Sequence, residues 1–298
     1  MFTIGKVYHV VHVVSDLDAA DAWYDEIFSP HRYYRGYMAE ALRDASLLAI
    51  GDFVMEPVAM AKVPGAEDSA IGRFYRRFGP RFHSVAWFVD SVENAFETLN
   101  AHNVRMYTAG GEFLKAPKPG RAVFTHPKDT YGTLEFARYG GLQPDRDPRL
   151  KPGWSTAFWR DEHPLGIERV SHMTTLVRDL SKATSFYLDV IGGRILDAVE
   201  IRGRKRSAYI ALGDETVMEI AEPLSPSSPE GREIEMSGET IYSVTFKVKD
   251  LAKAKSFLDS KNVRTESAEA DTIVIDREQS MGAVIGFTQR RLPSDLRN

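Results

Sequence analysis

The sequence predicts an α+β protein in which a unit of one strand, one helix and further strands occurs four times, paired into two domains. Its length of 298 residues exceeds one ordinary hydrophobic core, so two domains are the default expectation. Residues 82–105 and 241–264 align without a gap at a displacement of 159 residues. The apolar stripe of the first predicted helix, which begins at Ala20, returns 163 residues later at Ala183. Repetition at fixed displacements indicates repeated structural units.

Composition narrows the classes of function. Hydrophobic residues make up 43% and charged residues 27%, which is typical of a globular protein in water. The net charge is −4 and the pI about 6.1, so no overall field attracts nucleic acid or an anionic membrane. The chain has no cysteine, which excludes disulfides, zinc–thiolate sites and cysteine nucleophiles. No signal peptide or membrane span is recognisable, and we expect a cytoplasmic protein.

The first unit begins with a strand over Val7–Val14, followed by Asp16 and a helix. A hairpin over Asp44–Ile50 and Phe53–Met60 follows, turned at Gly51-Asp52. The helix is predicted from an apolar face of helical period, formed by Ala20, Trp23, Tyr24, Ile27 and Phe28.

The second unit starts at residue 82 with apolar residues alternating at period two, as in a strand. Asp90, with Glu93 three residues later, predicts a helix cap, and an apolar helical stripe follows. Later strands are predicted near Val104–Thr108, Ala122–Thr125 and Thr133–Arg138. We place the N-terminal domain at residues 1–138.

Residues 139–166 are rich in proline and glycine and predict an interdomain strap. Trp154, Phe158 and Trp159 indicate that this strap is packed. The C-terminal domain, residues 167–298, repeats the first. Within it we expect Pro223–Glu239 to be a mobile polar loop, and Arg202–Arg206 to be a solvated hairpin tip.

Histidines and glutamates recur at equivalent places in these units. His9 and Glu56 of the first unit return as His172 and Glu219 in the third. The second unit carries His83 and Glu135. A carboxylate inside an apolar strand is costly unless it is paired or binds a metal, although a structural hydrogen bond is the alternative for each residue. Imidazoles and carboxylates without thiolates suit Fe(II), Mn, Ni, Co or Zn.

These motifs resemble the vicinal oxygen chelate superfamily, which includes glyoxalase I, methylmalonyl-CoA epimerase, extradiol dioxygenases and bleomycin-resistance proteins. The resemblance rests on four segments: His9-x6-Asp16-Leu17 with Trp23-Tyr24, Glu56 in FVMEP, His83-Ser-Val-Ala-Trp-Phe-Val-Asp, and Gly132-Thr-Leu-Glu135-Phe. It implies paired βαβββ modules that form a curled mixed sheet around a cavity, and one divalent metal held by His and Glu residues.

The resemblance implies His9, Glu56 and Glu135 as metal ligands, and we take His83 as the fourth. The family pattern would place that fourth ligand at Ser84, and a β-bulge could turn His83 inward. The C-terminal half departs further, since Tyr242-Ser243 stands where a histidine is expected and Ile285-Gly286 where Glu135 would fall. At most one complete metal site is therefore expected.

The resemblance leaves two ways of pairing the modules. In the first, modules one and two share a sheet; in the second, module one pairs with four and module two with three. We favour the first, because the 21-residue connection Ala61–Arg81 is long enough to let the second module fold back.

Three functions remain open. The first is a glyoxalase- or epimerase-type isomerase or lyase, in which the metal stabilises an enolate or oxyanion and Glu56 moves a proton. The second is an extradiol dioxygenase, and the third a small-molecule binding protein without catalysis. In each case the expected partner is a small molecule, and a homodimer is left open.

Overall fold

The computed structural model describes residues 2–118, 122–138, 146–196, 199–213, 215–292 and 294–297. It contains two mixed sheets, each built from two βαβββ modules, which confirms the predicted α+β class. The helices over Leu17–Phe28, Val92–Ala101, Leu180–Asp189 and Leu251–Ser260 contribute to one large core that both sheets share. No helix in the described ranges is long and apolar enough to cross a membrane.

The N-terminal sheet contains strands β1 to β8. They are β1 (Ile4–Val14), β2 (His31–Met38), β3 (Arg43–Ile50), β4 (Phe53–Met60), β5 (Arg81–Val89), β6 (Met106–Tyr107), β7 (Val123–Thr125) and β8 (Thr133–Arg138). Its helices are α1 (Leu17–Phe28), α2 (Ala70–Phe78), α3 (Val92–Ala101) and α4 (Pro127–Thr130).

The C-terminal sheet contains strands β9 to β17. They are β9 (Ile167–Leu176), β10 (Arg194–Ile195), β11 (Glu200–Arg202), β12 (Lys205–Leu212), β13 (Thr216–Pro223), β14 (Thr240–Val248), β15 (Thr265–Glu269), β16 (Thr272–Ile275) and β17 (Val284–Thr288). Its helices are α5 (Leu180–Asp189), α6 (Pro229–Ser237) and α7 (Leu251–Ser260).

The order of the strands settles which modules pair. The N-terminal sheet runs β2-β3-β4-β1-β5-β8-β7-β6, so module one joins module two where β1 lies antiparallel to β5. The C-terminal sheet has the same order around β9 and β14. The pairing of modules one and two is confirmed, and the crossed pairing of one with four is wrong for this chain.

Local sequence explains the helix starts, with one correction. Asp16 caps α1 as predicted, because its side chain accepts the Ala19 N–H. For α3 the cap is Ser91, which accepts the Asn94 N–H. Asp90 instead holds the backbone of Thr3, so its predicted capping role was wrong.

Two segments predicted as connections contain helices. The expected mobile loop Pro223–Glu239 carries α6, which Ser228 caps by accepting the Gly231 N–H. The connection Ala61–Arg81 carries α2, capped in the same way by Ser69. The apolar periodicity of α6 is weak, whereas α2 carries Ile71, Phe74, Tyr75 and Phe78 at helical spacing, a signal that the sequence analysis overlooked. The predicted solvated tip Arg202–Arg206 is also partly wrong, because Lys205 lies in β12 and pairs with buried Glu219.

The predicted strap is packed where it is described. Its residues 139–145 lie outside the described ranges. The indole of Trp159 is buried and donates to the Phe28 carbonyl, and Trp154 donates to the carbonyl of Gly51. The boundaries 1–138, 139–166 and 167–298 stay a prediction.

The two sheets contact each other at two equivalent positions. His12 on β1 contacts the Met281 carbonyl at 3.0 Å and the Tyr24 hydroxyl at 2.9 Å. On β9, at the place equivalent to His12, the Thr175 hydroxyl donates to the carbonyl of Tyr131. Each sheet therefore receives a loop of the other at the same position, as an approximate twofold relation between them requires.

A second repeated set of contacts was not predicted from the sequence. Arg149, held by Asp147, donates to the carbonyls of Val7, Tyr8 and Asp52. This buried clip ties the chain after the N-terminal sheet to its first strand and its hairpin turn.

The C-terminal sheet has an equivalent clip. Arg297, held by Asp295, donates to the carbonyls of Val170, Ser171 and Glu215. The shared motif is only Asp-x-Arg, which is too short to recognise in the sequence.

Candidate metal and substrate site

The N-terminal sheet brings together three of the four predicted ligands. His9 on β1 pairs with Ala86 on β5, and Ala86 pairs with Glu135 on β8, so all three residues share one face. Glu56 on β4 pairs with Val11 and shares that face as well. The Nε2 atom of His9 lies 3.1 Å from Glu56 Oε2 and 3.2 Å from Glu135 Oε2. Each of the three residues is 3% exposed.

One cation accompanies this cluster. Buried Arg43 on β3 donates to Glu56 Oε1 at 3.2 Å, which leaves Glu56 Oε2 without a hydrogen-bond partner of good geometry. Burial alone would lower the pKa of His9, but Glu56 and Glu135 together raise it above its ordinary value. A protonated His9 and Arg43 then balance the two carboxylates, whereas a neutral His9 leaves one negative charge.

His83 is the extra residue of a β-bulge. The register of β1 with β5 shifts between Ser84 and Phe82, which leaves His83 unpaired. Its Nδ1 contacts the Ser84 hydroxyl at 2.9 Å and its ring packs edge-on against Phe74. Burial, assisted by the charge of Arg43, lowers the pKa of His83 to about 4, so the imidazole is neutral.

Ser84, in contrast, lies in regular register opposite Val11 on the His9 face. Among the contacts of the described residues, His83 has none with Glu56 or Glu135. Ligation by His83 or by Ser84 therefore stays a prediction.

The donor set fits a first-row divalent metal in part. Neighbouring ligands of an octahedral ion with bonds of about 2.1 Å are roughly 3 Å apart, which matches both distances from His9 Nε2. The unpartnered Oε2 of Glu56 is a buried acceptor that an ion would satisfy. As the side chains stand, however, no group of three or more His, Asp or Glu residues in the described ranges could hold an ion. Metal binding would therefore need a carboxylate to rotate.

The C-terminal sheet carries the degenerate counterpart of this cluster. His172 Nε2 lies 3.8 Å from Glu219 Oε2, and Lys205 occupies the place of Arg43 with an ion pair of 3.0 Å to Glu219. Thr245 pairs with both His172 and Gly286, so Gly286 stands where Glu135 stands in the other sheet. Burial, with the charge of Lys205 among its smaller causes, lowers the pKa of His172 to about 4.

Arg43 and Lys205 are the site residues that the sequence analysis missed. They occupy equivalent positions at the start of β3 and of β12, the strands that pair with those carrying Glu56 and Glu219. A repeat alignment that compared charge as well as identity would have shown one cation at this position in both halves.

Comparison with known proteins supports the predicted resemblance. Residues 169–277 match the family described as the Glyoxalase/Bleomycin resistance protein/Dioxygenase superfamily. The predicted resemblance to the vicinal oxygen chelate proteins is confirmed by this match together with the fold.

The individual relatives match only part of this chain or have low sequence identity to it. Mitochondrial methylmalonyl-CoA epimerase from Mus musculus is 33% identical over 106 residues, which cover 35% of this chain and 59% of that protein. The match thus spans about three fifths of the relative's length. A triple mutant of 4-hydroxymandelate synthase from Streptomyces coelicolor superposes with a TM-score of 0.67 at 14% identity, covering 97% of this chain and 95% of that chain.

Methylmalonyl-CoA epimerase from Mycobacterium tuberculosis has a TM-score of 0.38 at 24% identity, over 41% of this chain and 87% of that chain. The likeness to the synthase concerns the fold alone.

Proposed function

We propose that this protein is a divalent-metal-dependent enzyme of the glyoxalase or epimerase type, acting on a small carbonyl compound in its N-terminal domain. The observation that carries the proposal is the convergence of His9 Nε2 with one oxygen of Glu56 and one of Glu135 on a buried face. His9, Glu56 and Glu135 would hold the metal, with His83 or Ser84 as the fourth ligand. When bound, the ion would act as a Lewis acid toward a substrate oxyanion.

Glu56 is the residue best placed to move a proton. Arg43 fixes its Oε1 atom, while its Oε2 atom makes no hydrogen bond. In this reading the Glu56 carboxylate, when it is not bound to the ion, takes the proton from the carbon next to a carbonyl, which leaves the electron pair on the substrate as an enolate. The protonated carboxyl then returns the proton to carbon. Burial excludes water from the carboxylate and strengthens its interaction with the developing charge.

The experiment is exchange of substrate hydrogen with solvent. Wild type and Glu56→Gln are incubated in deuterium oxide with α-keto and thioester compounds, and deuterium uptake is read by mass spectrometry. We expect uptake in wild type and a loss of at least about 100-fold in Glu56→Gln, the usual contribution of a positioned base. The matched control is Glu219→Gln in the other sheet. Unchanged exchange in Glu56→Gln together with loss in Glu219→Gln would overturn the assignment.

The fourth ligand needs its own comparison. His83→Ala and Ser84→Ala are measured for Mn²⁺ affinity under the same conditions. Loss in His83→Ala alone would support the bulged histidine, and would keep open a dioxygenase centre of two imidazoles and one carboxylate. Loss in Ser84→Ala alone would favour the position of the family pattern.

A further inference from the structure

The C-terminal sheet holds a cavity of about 260 Å³, just below the usual range for ligand sites. Its walls include His172, Lys205, Glu230, Tyr242 and Gly286. Because Gly286 has no side chain, the space that Glu135 fills in the other sheet stays open here. The cavity is therefore a separate feature from the proposed metal site.

Three carboxylates around this cavity are each paired with a cation. Lys205 pairs with Glu219 at 3.0 Å, and Arg290 pairs with Glu200 at 2.6 Å. Glu230 pairs through Oε1 with Arg204 at 3.2 Å. A ligand with a net charge would find no buried counter-ion free of a partner in this group, and would have to disrupt an existing pair.

Hydrogen-bonding capacity, in contrast, remains. Glu230 is 7% exposed and its Oε2 atom has no hydrogen-bond partner. The Tyr242 side chain lies in the β-bulge equivalent to that of His83, and its hydroxyl makes no hydrogen bond within the described ranges. Burial, then the charge of Glu230, raises the pKa of Tyr242, which keeps this hydroxyl a donor. Ser243, Thr245 and Thr272 add further hydroxyl groups to the wall.

We infer that this cavity is a second, metal-independent ligand site for a small uncharged molecule rich in hydroxyl groups, of the monosaccharide or cyclitol class. The hydroxyls of such a ligand would donate to the Glu230 carboxylate and accept from Tyr242. Both residues lie outside the proposed metal cluster, so this site stands or falls independently of the proposed enzyme activity.

The test is titration of the full-length protein with myo-inositol and D-glucose, followed by calorimetry or ligand-observed NMR in the presence of EDTA. Succinate and choline serve as charged probes of similar size. We expect saturable binding of one neutral probe at millimolar concentration, about tenfold weaker in Glu230→Gln and in Tyr242→Phe. Tyr37→Phe, on the exposed β2, is the matched control and should bind as wild type does.

Three results would overturn the inference: no saturable binding of either neutral probe, tighter binding of succinate or choline, or binding that Glu230→Gln and Tyr242→Phe leave unchanged. Because EDTA is present throughout, the outcome does not depend on metal at His9. Circular dichroism of each variant confirms that a loss of binding reflects the site and not unfolding.

Discussion

In the N-terminal sheet His9 lies between two carboxylates, whereas in the C-terminal sheet the equivalent His172 has Glu219 alone, at 3.8 Å. Both glutamates of the shared position pair with a cation, Arg43 in one sheet and Lys205 in the other. The pKa of His9 is raised and that of His172 is lowered to about 4. The second carboxylate contributes to this reversal, because the charges of Glu56 and Glu135 together outweigh the cost of burying an imidazolium at His9.

The same structural unit therefore forms a charged cluster in one sheet and a cavity in the other. With Glu135 the cluster keeps a negative charge once His9 is neutral, which favours a divalent cation. With Gly286 at the equivalent place the charges of Lys205 and Glu219 already cancel, and the space becomes a cavity. Four predictions test this comparison, starting with the two repeated clips.

The largest expected effect on stability is at Arg149. Its side chain is 1% exposed and Asp147 2%, so Arg149→Ala leaves a buried carboxylate and several carbonyls unpaired. We expect a loss of about 3–5 kcal/mol in the free energy of unfolding, measured by urea denaturation. The control Arg297→Ala should cost roughly 1–2 kcal/mol, since that side chain is 14% exposed and water can replace part of its contacts. Equal losses would show that burial does not distinguish the clips.

Replacing the cations beside the two glutamates should affect metal binding in different ways. Lys205→Met leaves buried Glu219 without its counter-ion and should cost about 3 kcal/mol. Arg43→Met should destabilise the chelator-treated protein as well, because Glu56 loses its partner. Arg43→Met removes a positive charge beside the proposed metal cluster and should bind Mn²⁺ more tightly than wild type in a titration, whereas Lys205→Met leaves that cluster intact and should bind Mn²⁺ with wild-type affinity. A change in Mn²⁺ affinity of the same size in both variants would contradict the distinction between the sheets.

The contacts that lock the sheets together should differ in their response to acid. Burial lowers the pKa of His12 to about 4, whereas its counterpart Thr175 does not titrate. Since the folded pKa lies below the unfolded value of about 6.5, His12 favours folding above pH 6.5, and this contribution is lost as the pH falls toward 4. From pH 7 to pH 5 we expect His12 to account for about 2 kcal/mol of lost stability.

His12→Thr, which copies the counterpart, should reduce that loss. The measurement is the free energy of unfolding at both pH values for wild type and variant. An unchanged pH dependence in His12→Thr would show that other buried histidines, such as His163 and His172, account for the acid sensitivity.

The sequence predicted the α+β class, the four units and the preferred pairing of modules, because apolar periodicity and repetition are local signals. The same signals placed His9, Glu56 and Glu135, since strand periodicity and the family motifs both point to them. The helix α6 was missed because its stability comes from a cap at Ser228 and tertiary contacts, which periodicity does not report.

Other features depend on contacts between distant segments. Arg43 and Lys205 can be recognised as partners of the glutamates only when β3 and β12 lie beside the strands that carry Glu56 and Glu219. The position of His83 depends on a bulge, and its sequence gives no signal of which residue is unpaired. The clips of Arg149 and Arg297 join residues that are 82 to 142 positions apart, and no local pattern marks them.

The most direct test of the account is the metal content of protein loaded with Mn²⁺ or Zn²⁺ and freed of excess ion, measured by elemental analysis. We expect close to one ion per chain in wild type and in His172→Ala. His9→Ala and Glu135→Ala should retain essentially none, because each removes one of the three convergent donors. Stoichiometric metal that survives Glu135→Ala but is lost in His172→Ala would contradict the assignment and place the metal in the C-terminal sheet.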